Sequence, residues 1–237
     1  MNTFVLIHGA WHGAWCWYRL VPLLRKEGNT VIALDLPSHG TDKTPTGLVT
    51  LQAYTDSVCR VLDAQTAPVI LVGHSMGGIV ISQAAEARPQ KIKSLVYLTA
   101  FLLKDGQSLL DVAQADTEAQ VLPNLVFSDD RSSAVVNEER RKSIFYVDCS
   151  DEDVTLAQSL LVPQAVAPFA TPVRTTRVNW GRIPRLYVEC TRDTAISLTS
   201  QRHMQKSQPC DRVLTLETGH SPFFSAPGEV ARFLLSV

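Results

Sequence analysis

The feature that most limits the fold of this chain is a recurrence of short, nearly continuous apolar runs. They fall at FVLIH (4–8), TVIALDL (30–36), PVILVGH (68–74), SLVYLTA (94–100), PRLYVEC (184–190) and RVLTLE (212–217). These runs lack the polar–apolar alternation of a sheet with one wet face, so each predicts a strand buried on both faces. Between the second and third runs, LQAYTDSVCRVLDAQ carries Leu51, Tyr54, Val58 and Leu62 at helical spacing. Strands separated by helices predict an α/β fold with a mostly parallel, doubly wound sheet of about six strands. A chain of 237 residues suffices for one such domain. The spacing breaks once, between SLVYLTA and PRLYVEC, an interval far longer than a crossover helix needs. It predicts an inserted, mainly helical cap over residues 105–181, with the core in 1–104 and 182–237. Within the cap, Ser150 can cap a helix running through DEDVTLAQSLLV, whose acidic first turn suits the helix dipole and which Pro163 stops.

Charge narrows the choice of partner. Lys and Arg total 22 against 23 Asp and Glu, so no basic field exists to draw nucleic acid or an anionic membrane. The five cysteines are scattered, without a CxxC pair, which argues for reduced thiols and against a disulfide framework or a zinc site. The opening MNTFVLIHG reads at once as a strand, and no apolar run reaches membrane-spanning length. A cytoplasmic protein with a small neutral ligand is expected, its oligomeric state open between monomer and homodimer.

One motif stands where chemistry would. GHSMG (73–77) follows the apolar run PVILV and precedes the small-residue helix GIVISQAAEA. A serine at a sharp strand-to-helix turn is held in strained backbone angles, and its neighbours must be small for strand and helix to approach. Gly73 and Gly77 meet that need, and the turn lifts Ser75 to the positive end of a helix, as a nucleophile forming an anionic intermediate requires. A serine hydroxyl needs a base. Of the six histidines, His8 and His12 sit in the first loop, His39 in a turn, His74 inside the elbow and His203 on a helix surface. His220, in ETGHSPFF, follows the last strand, at the sheet edge where doubly wound folds bind ligands, and precedes a helix that Pro227 can start. Asp193, in ECTRDTAIS, has the same location one strand earlier and can fix the histidine's tautomer, with Asp105 as the competing acid. The chain order Ser75, Asp193, His220 fits this architecture. Oxyanion donors are expected from the N–H groups of Met76, directly after the serine, and Ala10, in the loop after the first strand.

These segments resemble the α/β-hydrolase superfamily. More narrowly, the chain is similar to the branch of plant methylesterases and hydroxynitrile lyases together with bacterial carboxylesterases, including pyrethroid hydrolases. The likeness rests on FVLIHGAWHGAWCWYRLVPLL, VIALDLPSHGTD, VILVGHSMGG, CSDEDVTLAQSLL, IPRLYVECTRDTAI, the MQK of RHMQK and GHSPFFSAP, and is weakest at about residues 107–140. It implies an α/β-hydrolase fold with Ser75 as nucleophile, Asp193 as acid, His220 as base, oxyanion donors at Ala10 and Met76, and no cofactor or metal. The lyases of the branch carry threonine where Gly9 stands and lysine where Ser221 stands. Without that lysine a departing cyanide has no cation to stabilise it. The resemblance therefore implies a serine carboxylesterase, with a C–C lyase or a ligand-binding receptor on the same fold as alternatives.

A lid over a strand-end cleft leaves part of its apolar surface facing the ligand. Candidate lining residues in the cap are Val121, Leu122, Leu125, Phe127, Phe145, Leu160, Leu161 and Phe169, joined by Trp11 from the first loop and Phe223 from the histidine loop. The expected substrate is a small-to-medium hydrophobic ester, aryl or alkyl.

Overall fold

A computed structural model describes residues 1–237. Nine strands occur in chain order: β1 (Thr3–Ile7), β2 (Thr30–Leu34), β3 (Val69–Ser75), β4 (Ile92–Ala100), β5 (Leu125–Phe127), β6 (Ser133–Val136), β7 (Gln164–Ala165), β8 (Arg185–Cys190) and β9 (Arg212–Leu216). The α-helices are α1 (Leu20–Lys26), α2 (Leu51–Asp63), α3 (Gly77–Ala87), α4 (Leu109–Ala115), α5 (Glu138–Phe145), α6 (Asp151–Leu160), α7 (Ala167–Ala170), α8 (Leu198–Ser207), α9 (Pro222–Ser225) and α10 (Pro227–Leu235).

The six apolar runs form one parallel sheet in the order β2-β1-β3-β4-β8-β9. From β1 the chain moves outward to β2, then returns to place β3 on the other side of β1. The order therefore reverses between β1 and β3, and in an open α/β sheet the crevice beyond the strand ends at such a reversal is where ligands bind. Every residue of β3 is buried, its apolar run Val69–Val72 leading into Gly73, His74 and Ser75. α2 follows the helical stripe, with Leu51, Tyr54, Val58 and Leu62 all buried and Thr50 accepting a bond from the Ala53 N–H to cap it.

Between β4 and β8 the chain leaves the sheet. α6 begins at Asp151 with Ser150 as N-cap, its hydroxyl accepting from the Asp153 N–H, as the local sequence predicts. The interval is less purely helical than expected, because β5, β6 and β7 form a small antiparallel sheet. Strands of three, four and two residues are too short to impress a period-two pattern on a sequence. No helix is long and apolar enough to cross a membrane.

Candidate active site

Ser75 is the last residue of β3, and α3 starts two positions later. Its φ is +52°, a left-handed conformation that a serine with a Cβ adopts only where the surroundings enforce it. Those surroundings are backbone atoms. A Cβ on Gly77 would lie 2.7 Å from the Ile7 carbonyl oxygen, and one on Gly73 would lie 2.6 Å from that of Gly77. Strand and helix thus close on each other through two glycines, and Ser75 projects from the turn between them, 8% exposed, at the reversal between β1 and β3.

His220 lies in the loop after β9 and Asp193 in the loop after β8, on adjacent strands of the sheet. The His220 Nδ1–H donates to Asp193 Oδ2 over 2.7 Å, and both side chains are buried. That bond fixes the tautomer, leaving Nε2 free to accept a proton. The Asp193 carboxylate accepts three further bonds: Oδ1 from the N–H groups of Ala195 (2.7 Å) and Ile196 (3.0 Å), and Oδ2 from the Thr99 hydroxyl (2.5 Å). Asp105 is exposed and accepts from the Thr175 N–H, away from His220, so the competing acid is set aside.

Thr99 was not foreseen. The pairing of β3 with β4 runs His74 to Leu98 and then Ser75 to Ala100, so Thr99 is the extra residue of a β-bulge, with φ of +37°. A bulge re-aims the side chain it carries, here toward the carboxylate on the neighbouring strand end. The available signal was a threonine one residue from the C-terminal end of β4, where a doubly wound sheet builds its site.

The loop after β1 is pinned by two histidines. The His8 Nδ1–H donates to the Gly9 carbonyl at 2.8 Å while His8 Nε2 accepts from the Leu36 N–H at 3.1 Å. In a trans peptide the N–H points opposite to the C=O, so the N–H of Ala10 is directed away from His8. The His12 Nδ1–H donates to the Ala10 carbonyl at 2.8 Å, and the Tyr146 hydroxyl lies 2.7 Å from His12 Nε2. Trp11, between them, has φ of +64° and turns the chain back. His74 packs rather than reacts: its Nε2–H donates to the carbonyl of His220 at 2.8 Å. Burial away from water disfavours charge on all three rings, holding His12 down at about 3 and placing His8 and His74 well below the ordinary value.

Ala10, Ser75, Met76 and His220 line one narrow cavity. The rest of its wall is Trp11, Phe101, Leu109, Ala113, Ala119, Val121, Leu122, Phe145, Phe169, Ala195 and Ile196, so Ser75 and His220 are the polar side chains it offers a ligand. Of the expected lining residues, Trp11, Val121, Leu122, Phe145 and Phe169 reach this cavity. Three site assignments need correction. Phe127 sits on the outer strand β5, 39% exposed, with its ring against the Arg131 guanidinium. Leu160 ends α6 at 37% exposure, facing outward. Phe223 is fully buried behind the elbow, packed on His74, Trp17 and Phe224. Leu161 lines a smaller chamber behind Trp11 and Phe145, and Leu125 packs against the core. Sequence reasoning missed Leu109, Ala113 and Ala119 of the cap, together with Phe101, directly after β4, and Ala195 and Ile196, in the loop after β8, although the strand ends are where a doubly wound sheet places its ligand.

Residues 4–233 match the alpha/beta hydrolase family. The chain belongs to that family. Among curated members it is similar to methyl jasmonate esterase 1 of Vitis vinifera, 31% identical with 99% of this chain and 95% of the relative covered, and to methylesterase 1 of Arabidopsis thaliana, 32% identical at the same coverage. It spans only 64% and 56% of longer Arabidopsis relatives named as chloroplastic. Among solved structures, a pyrethroid hydrolase from Sphingobium faniae superposes with a TM-score of 0.89 at 30% identity, covering 99% of this chain and 96% of that one. The chain thus has both plant and bacterial relatives, the branch that its sequence motifs resemble.

Proposed function

We propose that this hydrolase is a serine carboxylesterase acting on small-to-medium hydrophobic esters, aryl or alkyl, through an acyl-enzyme. One observation carries the reading: a serine held at positive φ and a His–Asp pair bonded at 2.7 Å converge on a cavity walled by apolar side chains. Ser75 Oγ attacks the ester carbonyl while His220 Nε2 takes its proton, and Asp193 steadies the imidazolium through Nδ1. Charge on the tetrahedral oxygen is met by the N–H groups of Ala10 and Met76, the latter at the N-terminus of α3, where the helix dipole adds to it. His220 returns the proton to the departing alcohol, then activates the water that releases the acid. No cofactor is needed in this scheme. The apolar wall favours a neutral ester over a charged one, since a buried carboxylate would meet no cation there. A methyl jasmonate esterase and a pyrethroid hydrolase among the relatives support ester hydrolysis. Five cysteines without a disulfide fit a reducing compartment, and we assign the protein to the cytoplasm.

The test combines a serine-directed fluorophosphonate with kinetics on an activated ester. Wild type should be labelled on Ser75, and Ser75→Ala should lose label and about four to six orders of magnitude in kcat, as groups that act as a unit do. Near-normal turnover by the variant, with no adduct on Ser75 of the wild type, would refute the mechanism.

A further inference from the structure

The loops that carry Asp193 and His220 belong to the core, yet both are held by one carboxylate of the cap. Asp148, in the turn between α5 and α6, accepts from the Gly219 N–H over 2.8 Å and from the Arg192 guanidinium over 3.3 Å, both at Oδ2. Each donor is the residue immediately before a member of the His–Asp pair. Asp148 is largely enclosed, its side chain 10% exposed. Arg192 ties the two loops directly as well, with its Nε–H donating to the Glu217 carbonyl at 2.9 Å and its backbone N–H to that of Thr218 at 3.0 Å. Position 219 is shaped for this approach: a Cβ on Gly219 would lie 2.7 Å from Val147 Cγ1 and 3.0 Å from Asp148 Oδ1. His220 is then gripped from both sides, its preceding N–H by Asp148 and its own carbonyl by His74.

We propose that Asp148 is a positioning residue for the His220–Asp193 pair: it fixes the spacing of the two loops, so that seating of the cap and alignment of the base are one event. The proposal rests on the esterase reading for its kinetic consequence, but the alignment it describes belongs to the resting protein. Asp148 does not line the cavity, so its removal should act on the chemical step rather than on ester binding. A displacement of the base by about 1 Å costs on the order of 100-fold, which bounds the effect.

Two readouts test it. In Asp148→Ala, kcat on an activated aryl ester should fall about 10- to 100-fold with KM within about threefold, the signature of misplacement rather than lost binding. In proton NMR of the resting protein, the downfield resonance of His220 Nδ1–H, assigned by its absence in His220→Gln, should broaden or move. The control is Asp153→Asn: Asp153 anchors the cap elsewhere, to Tyr18 and Arg19, and its loss should leave that resonance in place. If Asp148→Ala fails to fold, Asp148→Asn, which keeps the shape but drops the charge facing Arg192, is read the same way, with at least about a threefold loss in kcat expected. A folded Asp148 variant with unchanged kcat and an unmoved resonance overturns the proposal. So does an equal resonance shift in Asp153→Asn, which would make Asp148 one cap anchor among several. Should the wild type neither hydrolyse esters nor take the fluorophosphonate, the esterase reading fails, while the NMR arm still decides the role of Asp148.

Discussion

Three histidines buried beside the elbow should make this protein acid-sensitive well above the range in which carboxylates protonate. His8, His12 and His74 are essentially inaccessible, and desolvation holds each ring neutral in the fold. In the unfolded chain the same rings protonate near the ordinary 6.5. Below that pH the unfolded state binds more protons than the native state, so stability falls as pH falls, with a window that for His12 extends from 6.5 to about 3. Each such group contributes about 1.4 kcal/mol per pH unit, so the three together remove about 4 kcal/mol by one unit below 6.5. That is a large part of the roughly 5–15 kcal/mol that holds an ordinary domain folded. Carboxylates held below their usual range, such as Asp153 and Glu189, lose their contribution only at lower pH, so they do not account for the onset. Thermal melts followed by near-UV circular dichroism from pH 8 to 4.5 should show Tm declining from about pH 6.5, with unfolding at room temperature near pH 5. His12→Gln should flatten the slope by no more than about a third, since burial holds His39 down as well. A Tm that stays level to pH 5 and drops only below 4.5 would show that burial does not keep these rings neutral.

Other substitutions separate roles within the site. Asp193→Asn should lower kcat by several orders of magnitude, because the amide reverses the histidine's tautomer, whereas Asp105→Asn should be mild; reversed effects would reassign the acid. Thr99→Val deletes one charge-assisted hydrogen bond to Asp193 and should cost about 10- to 100-fold in kcat with the fold intact by circular dichroism, and an unchanged kcat would make the bulge merely structural. On a panel of size-matched esters, kcat/KM should favour neutral aryl and alkyl esters over carboxylate-bearing ones; parity would overturn the apolar-cavity reading. Phe145→Ala should change selectivity across that panel while Phe127→Ala leaves it alone, since Phe145 alone of the two lines the cavity.

Local sequence determined a good deal of this molecule. The six core strands, α2, the cap of α6 and the GHSMG elbow follow from forces acting within a few residues: continuous apolar burial, helical spacing, a side chain bonding the N–H three positions on, and glycines where backbones must touch. Ser75, Asp193 and His220 could be singled out because a parallel sheet puts all its strand ends on one side, so position along the chain already implies proximity. Tertiary structure decided the rest. Phe127, Phe145, Leu160 and Phe223 are alike in hydrophobicity, yet one faces Arg131, one lines the cavity, one faces outward and one fills the core behind His74, since facing is set by how the cap seats on the sheet. Thr99 reaches Asp193 only because β3 and β4 slip by a residue, and Asp148 meets Gly219 and Arg192 across intervals of 71 and 44 residues. Contacts of that span leave no periodicity in the chain, because the partners share no turn, strand or helix through which one could constrain the other.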